Sequence, residues 1–468
     1  MEDPGLFDLR EALRHGEVSS HDLVGTALER AEASADLGAF VSLNGELALA
    51  EARAADARIA ATVSATARRG LPPLLGLPTA HKDLVAVRGI VTTHGSAAVP
   101  HLPAAEDDPV AAAVRAAGAV SLGKTQVPEF GIAGYSENEI APPARNPHDP
   151  ARTAGGSSGG TAAAIAAGVI PGAIASDAGG SIRIPAAACG LVGLKPGRGA
   201  VPADRTRSAG SDPSLDDFGA PRMGVSGPIA RDARDAAILY DALRGRADEP
   251  AHLAVASVMT QPGSLRGLRI GVSLASPFEE WIPIRFDPDA LAALQAGVDA
   301  LTAAGHTVEE AEIAYDSRYP EAFTTVWTAG LGRIAFEPGA EDRLGALAGM
   351  FLRRARDTPR AQVEKAAAAL RSFAADVARQ WGAYDVVLTP ALASPAPRVG
   401  AFRALGPEGD YRLQCEWAPQ TSMVNVAGLP AVTAPTHRTA AGLPMSVQLI
   451  GRAGDEVRLL QLAAQLAA

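Results

Sequence analysis

Leu9, Leu13, Leu23 and Leu28 recur at roughly helical spacing among Glu, Arg and Ala, so the first stretch, about 1–65, predicts helices. Ser20, just ahead of His21-Asp22-Leu23, is the expected cap of one of them. Leu71-Pro72-Pro73 closes this region. Residues 77–83 then run from an apolar start to a lysine, which reads as a short strand leading into a loop. A helix is expected over 110–117 and a strand over 119–122. The alternation continues with a strand over 268–272, a helix over 289–303, a strand over 306–313 and an Ala- and Arg-rich helix over 360–380. A buried strand over 384–390 stops at Pro390. Strands alternating with helices predict a layered α/β fold. Residues 200–220 read as a polar loop, and no repeat, heptad array or long linker divides the chain. It is therefore expected to form one domain over 1–468.

Composition narrows the function more than the fold. The 468 residues can bury a large core without disulfides. A net charge of −10 and the lack of any Lys/Arg run with interleaved aromatics argue against nucleic-acid binding. Cys189 and Cys415 are too few for a disulfide framework and lack zinc-ligand spacing, which points to reduced thiols and a cytoplasmic setting. The start, Met1-Glu2-Asp3-Pro4, is acidic where a signal peptide is basic. The longest uncharged stretch, 153–176, has the length of a membrane span. Its six glycines, Pro171 and several hydroxyls instead suggest a functional loop followed by a small-residue helix.

The strongest local signal is Gly155-Gly156-Ser157-Ser158-Gly159-Gly160. Four glycines around two serines allow a tight turn and close approach to another group. Taken alone, the segment suits either a flexible or phosphate-binding loop or a working serine held in a turn; the Walker pattern is absent, since Thr161 follows Gly160. A second such loop, Asp177-Ala178-Gly179-Gly180-Ser181, can converge backbone N–H groups beside a serine, as an oxyanion hole requires. Of the bases that could activate a serine, His81, His94, His101 and His148 have no distinguishing surroundings. Lys82 follows an apolar run; a lysine held in an apolar site favours its neutral form and can act as a base, whereas an ordinary lysine is a surface group.

These segments together resemble the amidase signature family. The resemblance runs through Gly76-Leu-Pro-Thr-Ala-His-Lys82-Asp83, Gly118-Ala-Val-Ser-Leu-Gly-Lys-Thr125, Arg145-Asn146-Pro147, both glycine loops, and Cys189-Gly-Leu-Val-Gly-Leu-Lys-Pro196. Asn425-Val-Ala-Gly-Leu-Pro430 and the segment 442–451 extend it to nearly the whole chain, with a core at about 75–200. It implies a single α/β/α domain around a mixed, mostly parallel twisted sheet. It implies an amide hydrolase that works through a seryl acyl-enzyme, with ester cleavage as a side activity. Carried over by position, Lys82 is the base, Ser157 the bridging serine on a cis peptide, and Ser181 the nucleophile. Ala178, Gly179, Gly180 and Ser181 would supply the oxyanion hole. Ser158, Asp177 and Arg183 would be supporting hydrogen-bond partners. Phe130, Tyr135, Phe323, Trp327 and Trp417 are candidates for a partly aromatic substrate pocket suited to aryl or medium-sized acyl amides, although each also suits an ordinary core. The resemblance implies no metal or cofactor. The expected partner is a small-molecule amide, with no nucleic acid and no membrane, and a homodimer is compatible with it. Two alternatives stand beside this reading. One is the amidase subunit of a tRNA-dependent glutamine amidotransferase, against which the uncharged segment 418–424 counts. The other is a non-catalytic binding protein on the same scaffold.

Overall fold

The computed structural model describes residues 4–62, 64–205, 212–245 and 250–467. Several helices begin where short polar side chains accept from the first free N–H groups. Ser19, not Ser20, caps the helix Ser20–Ala33, its side chain accepting from Asp22 N. Asp108 and Asp287 cap the helices Pro109–Ala116 and Pro288–Ala303, each with proline in the first turn. Ser20 is instead buried, and its hydroxyl donates to Gly76 O at 2.8 Å, tying the N-terminal helices to the segment before Lys82. The expected helical region is interrupted by a strand, β1 (Phe40–Leu43).

β1 pairs antiparallel with β3 (Val120–Thr125), and β3 pairs parallel with β2 (Pro78–Lys82), forming a small three-stranded sheet. β4 (Arg145–Asn146) and β5 (Asp149–Thr153) make a hairpin. The main sheet contains β6 (Gly172–Asp177), β7 (Val192–Lys195), β8 (Val225–Ala230), β9 (Arg269–Val272), β10 (Thr307–Glu310), β11 (Val386–Pro390), β12 (Ala431–Arg438) and β13 (Pro444–Ile450). Its order is β10-β9-β11-β13-β12-β7-β8-β6. The sheet is mixed, as expected, but it is not mostly parallel. Only the β10-β9-β11 end is parallel, and every other neighbouring pair is antiparallel. Antiparallel pairing needs no long crossover, and the short turn between β12 and β13 shows this directly.

Side chains alternate across the sheet into two cores. Val386 and Leu388 of β11, and Val447 and Leu449 of β13, join a core with the helices Ala233–Arg244 and Glu456–Leu466. Val387 and Ile450 face the opposite core, built on Phe351, Phe373 and Trp381. The result is an α/β/α arrangement. Part of the polar loop over 200–220 is the short helix Pro202–Arg205, and residues 206–211 lie outside the described residues.

Candidate active site

Lys82 ends β2, a strand buried at every position, and is itself only 1% exposed. Its Nζ donates to Ser157 Oγ at 2.8 Å, and contacts Ser176 Oγ at 3.1 Å and Ser176 O at 3.2 Å. Burial lowers its pKa to about 7, with the nearby Asp177 carboxylate acting in the opposite direction. The chain leaving Lys82 is held by a second buried lysine. Lys124 Nζ bonds Val85 O, reaches Thr92 Oγ1 at 2.8 Å and lies 3.6 Å from Asp83, which in turn accepts from Thr93.

The first glycine loop brings Ser157 to Lys82. The Gly156–Ser157 peptide is cis. The glycines permit approaches that no side chain would allow. A Cβ on Gly156 would lie 2.6 Å from Tyr135 N, and one on Gly160 would lie 2.3 Å from Gln126 N. The following helix, Gly159–Ala166, is almost entirely buried, which explains its small residues. Ser158 Oγ is also buried, but it has no hydrogen-bond partner among the described residues, so it makes none of the supporting contacts expected of it.

Ser181 follows β6 through Ala178, Gly179 and Gly180. Asp177 anchors that turn: its carboxylate accepts from Gly180 N at 2.7 Å and Ile182 N at 3.0 Å. It also pairs two-pronged with Arg183, at 3.0 Å from both Nε and Nη2, with neither side chain exposed. Although its burial works against ionisation, this pairing holds the carboxyl well below the usual carboxylate range. Arg183 also bonds Thr421 O, Gln448 Oε1 and Asn425 Oδ1. Thr421 Oγ1 donates to Gly179 O at 2.7 Å, and Asn425 Nδ2 to Asp177 O at 3.0 Å. Asp177 and Arg183, two of the three residues expected in supporting positions, are thus hydrogen-bonded to each other beside the Ser181 turn. Gly180 departs from its expected use, because its N–H is occupied by Asp177. The N–H groups of Ala178, Gly179 and Ser181 have no acceptor among the described residues.

Ser181 stands where two cavities meet. The larger, about 530 Å³, is lined by Lys82, Ser157, Ser181, Phe130 and Trp327, and reaches Asp216 and Arg222. The smaller, about 60 Å³, is lined by Ser181, Phe278, Phe323, Trp327, Tyr411 and Trp417, and has no charged residue on its wall among the described residues. Ser157 and Ser181 thus share one cavity, yet no hydrogen bond joins their hydroxyls among the described residues. Phe130, Phe323, Trp327 and Trp417 fall where the sequence suggested. Tyr135 does not: it lines neither Ser181 cavity, stacks on Phe402 at 4.6 Å and donates to Asp410 at 2.5 Å. Phe278, Tyr411, Ser176 and Arg222 went unnoticed in the sequence, and of these only Ser176 lies next to a recognised motif.

Two buried serine loops, a desolvated lysine and a large mixed α/β sheet define a class of hydrolase folds. The chain belongs to the amidase family, whose model matches residues 22–460. "Putative amidase AmiB2" of Mycobacterium tuberculosis is 36% identical over 463 residues, covering 97% of this chain and 93% of that protein. One component of the glutamyl-tRNA(Gln) amidotransferase of Bordetella avium is 34% identical over 505 residues, covering 97% and 93%. Among solved structures, 6-aminohexanoate cyclic dimer hydrolase superposes with a TM-score of 0.83 at 27% identity, covering 99% of this chain and 96% of that one. The protein is an amidase, a hydrolase of amide bonds. Among the described residues no helix is long and apolar enough to cross a membrane.

Proposed function

We propose that this amidase cleaves small-molecule carboxylic amides through an acyl-enzyme on Ser181, with Ser157 relaying protons to and from Lys82. The observation that carries the reading is the buried Lys82 amine, 2.8 Å from Ser157 Oγ and beside the cavity that holds Ser181. Lys82, neutral above about pH 7, accepts a proton through Ser157 from Ser181 as Ser181 Oγ bonds to the amide carbon. Closure of the 157–181 hydroxyl gap accompanies substrate binding, since catalytic hydrogen bonds tighten in the loaded state. The free N–H groups of Ala178, Gly179 and Ser181 receive the oxyanion, each worth about 3–4 kcal/mol in comparable sites. Gly180 contributes the turn. The C–N bond then breaks as the proton returns to the leaving nitrogen, and water releases the acid from Ser181.

The uncharged small cavity suits an apolar acyl group, so aryl or medium-sized acyl amides, with esters as a side activity, form the expected class. The likeness to an amidotransferase component supports a second reading, glutamine hydrolysis with a partner chain and tRNA. The uncharged wall speaks against it, because a bound amino acid needs charged partners. We read residues 1–468 as one amidase domain, a view supported by a main sheet with strands from Gly172 to Ile450. A cytoplasmic setting is supported by two buried, free cysteines.

Ser181→Ala should abolish both amide turnover and labelling by a fluorophosphonate probe. Turnover retained by a clean Ser181→Ala preparation would remove Ser181 as nucleophile.

A further inference from the structure

The larger cavity is also lined by an arginine that the proposed chemistry leaves unused. Arg222 is half-buried there. Its backbone N donates to Ser214 O at 2.8 Å, its backbone O accepts from Arg198 Nε at 2.6 Å, and its own Nε donates to Leu215 O at 2.7 Å. The residue is thus fixed at its backbone and at one guanidinium nitrogen. Its two terminal nitrogens have no acceptor and no ion pair among the described residues. The neighbouring cations differ: Arg183 is committed to Asp177, Gln448 and Asn425, and Arg198 to backbone carbonyls. Lining the same cavity, Asp204 accepts from Ser226 N and Oγ, and Asp216 accepts from Phe218 N and Ala220 N through one oxygen.

Arg222 lines the larger cavity, and a planar guanidinium with unspent N–H groups, fixed at its Nε, is matched by a carboxylate. The small cavity that also borders Ser181 has, among the described residues, no charged side chain with which to receive one. We propose that Arg222 binds a carboxylate on the leaving-amine part of the substrate, so that the enzyme prefers amides of amino-carboxylic acids over amides of plain amines. The inference rests on Ser181 being the nucleophile and on the small cavity holding the acyl group.

The test compares butyranilide with 4-butyramidobenzoate on the full-length enzyme. Wild type should favour the benzoate in kcat/KM, mainly through KM, by on the order of tenfold to a hundredfold, the usual worth of a hydrogen bond to a charged group. In Arg222→Met this ratio should fall to about one; both substrates are measured on one preparation, so its folded fraction cancels. Arg222→Gln should behave alike and serves if the Met variant is insoluble. An unchanged ratio in either variant, or a wild type that favours the plain anilide, overturns the proposal. If wild type cleaves neither, the expected acyl-amide class is what has failed, and Arg222 is judged by calorimetry. Weaker binding of 4-aminobenzoate by Arg222→Met than by wild type, with aniline unaffected, supports the carboxylate site, and equal binding overturns it.

Discussion

An amine that is 1% exposed and has no ion pair among the described residues is costly to keep charged, and this governs the chemistry expected of Lys82. Its base form is present above about pH 7 and is lost below it. kcat/KM should therefore rise with pH through about 7, falling about tenfold per unit on the acid side. Lys195 raises a competing assignment, since burial and the Arg183 charge lower its pKa to about 7 as well. It donates to Pro196 O and lines neither Ser181 cavity. Lys195→Met should keep the acid limb, whereas Lys82→Ala should be nearly inactive at neutral pH. A limb that disappears with Lys195 would give the base role to the wrong lysine. The apolar run before Lys82 made its desolvation legible from sequence, and the glycines around Ser157 made its close packing legible. Tyr135 was misplaced because nearness along the chain does not say which way a ring points. Arg222 escaped notice because the irregular stretch just after the polar loop has no periodicity to show which of its residues line a cavity.

At the scale of elements, the loop that carries Ser181 is shaped mainly from outside itself. Arg183 links Asp177 to Thr421, Asn425 and Gln448 with all of its guanidinium nitrogens engaged. Arg183→Met would leave the Asp177 carboxylate buried and short of its partner, a change that typically costs about 3–5 kcal/mol. A large drop in the urea midpoint, with activity lost alongside, is expected; a midpoint within experimental error of wild type would mean the pair contributes little. The individual strands and helices were legible from hydrophobic period, with one helix cap expected at Ser20 instead of Ser19, and β2, β9 and β11 form close to where they were expected. Strand order and direction were not legible, because alternation of strand and helix leaves open which strands become neighbours. That is why a mostly parallel sheet was expected where most neighbours are antiparallel.

The whole molecule depends on its final helix. Leu459, Leu460 and Leu462 of Glu456–Leu466 are fully buried, and the helix covers one face of the main sheet. Burying each such leucine contributes about 1.5–3 kcal/mol, against a total stability of about 5–15 kcal/mol for a typical protein. A chain ending at residue 455 should therefore be insoluble or unfolded by circular dichroism; a soluble, active truncation would contradict the dependence of the core on this helix.

Thr421, Asn425 and Gln448, which hold the Ser181 turn, come from the last tenth or so of the sequence. During synthesis Ser181 leaves the ribosome long before the residues that shape its surroundings. A chain that stops before Thr421 carries Ser181, the proposed nucleophile, without the contacts that hold its turn. Hydrolytic competence is therefore expected only in a chain extended past Gln448.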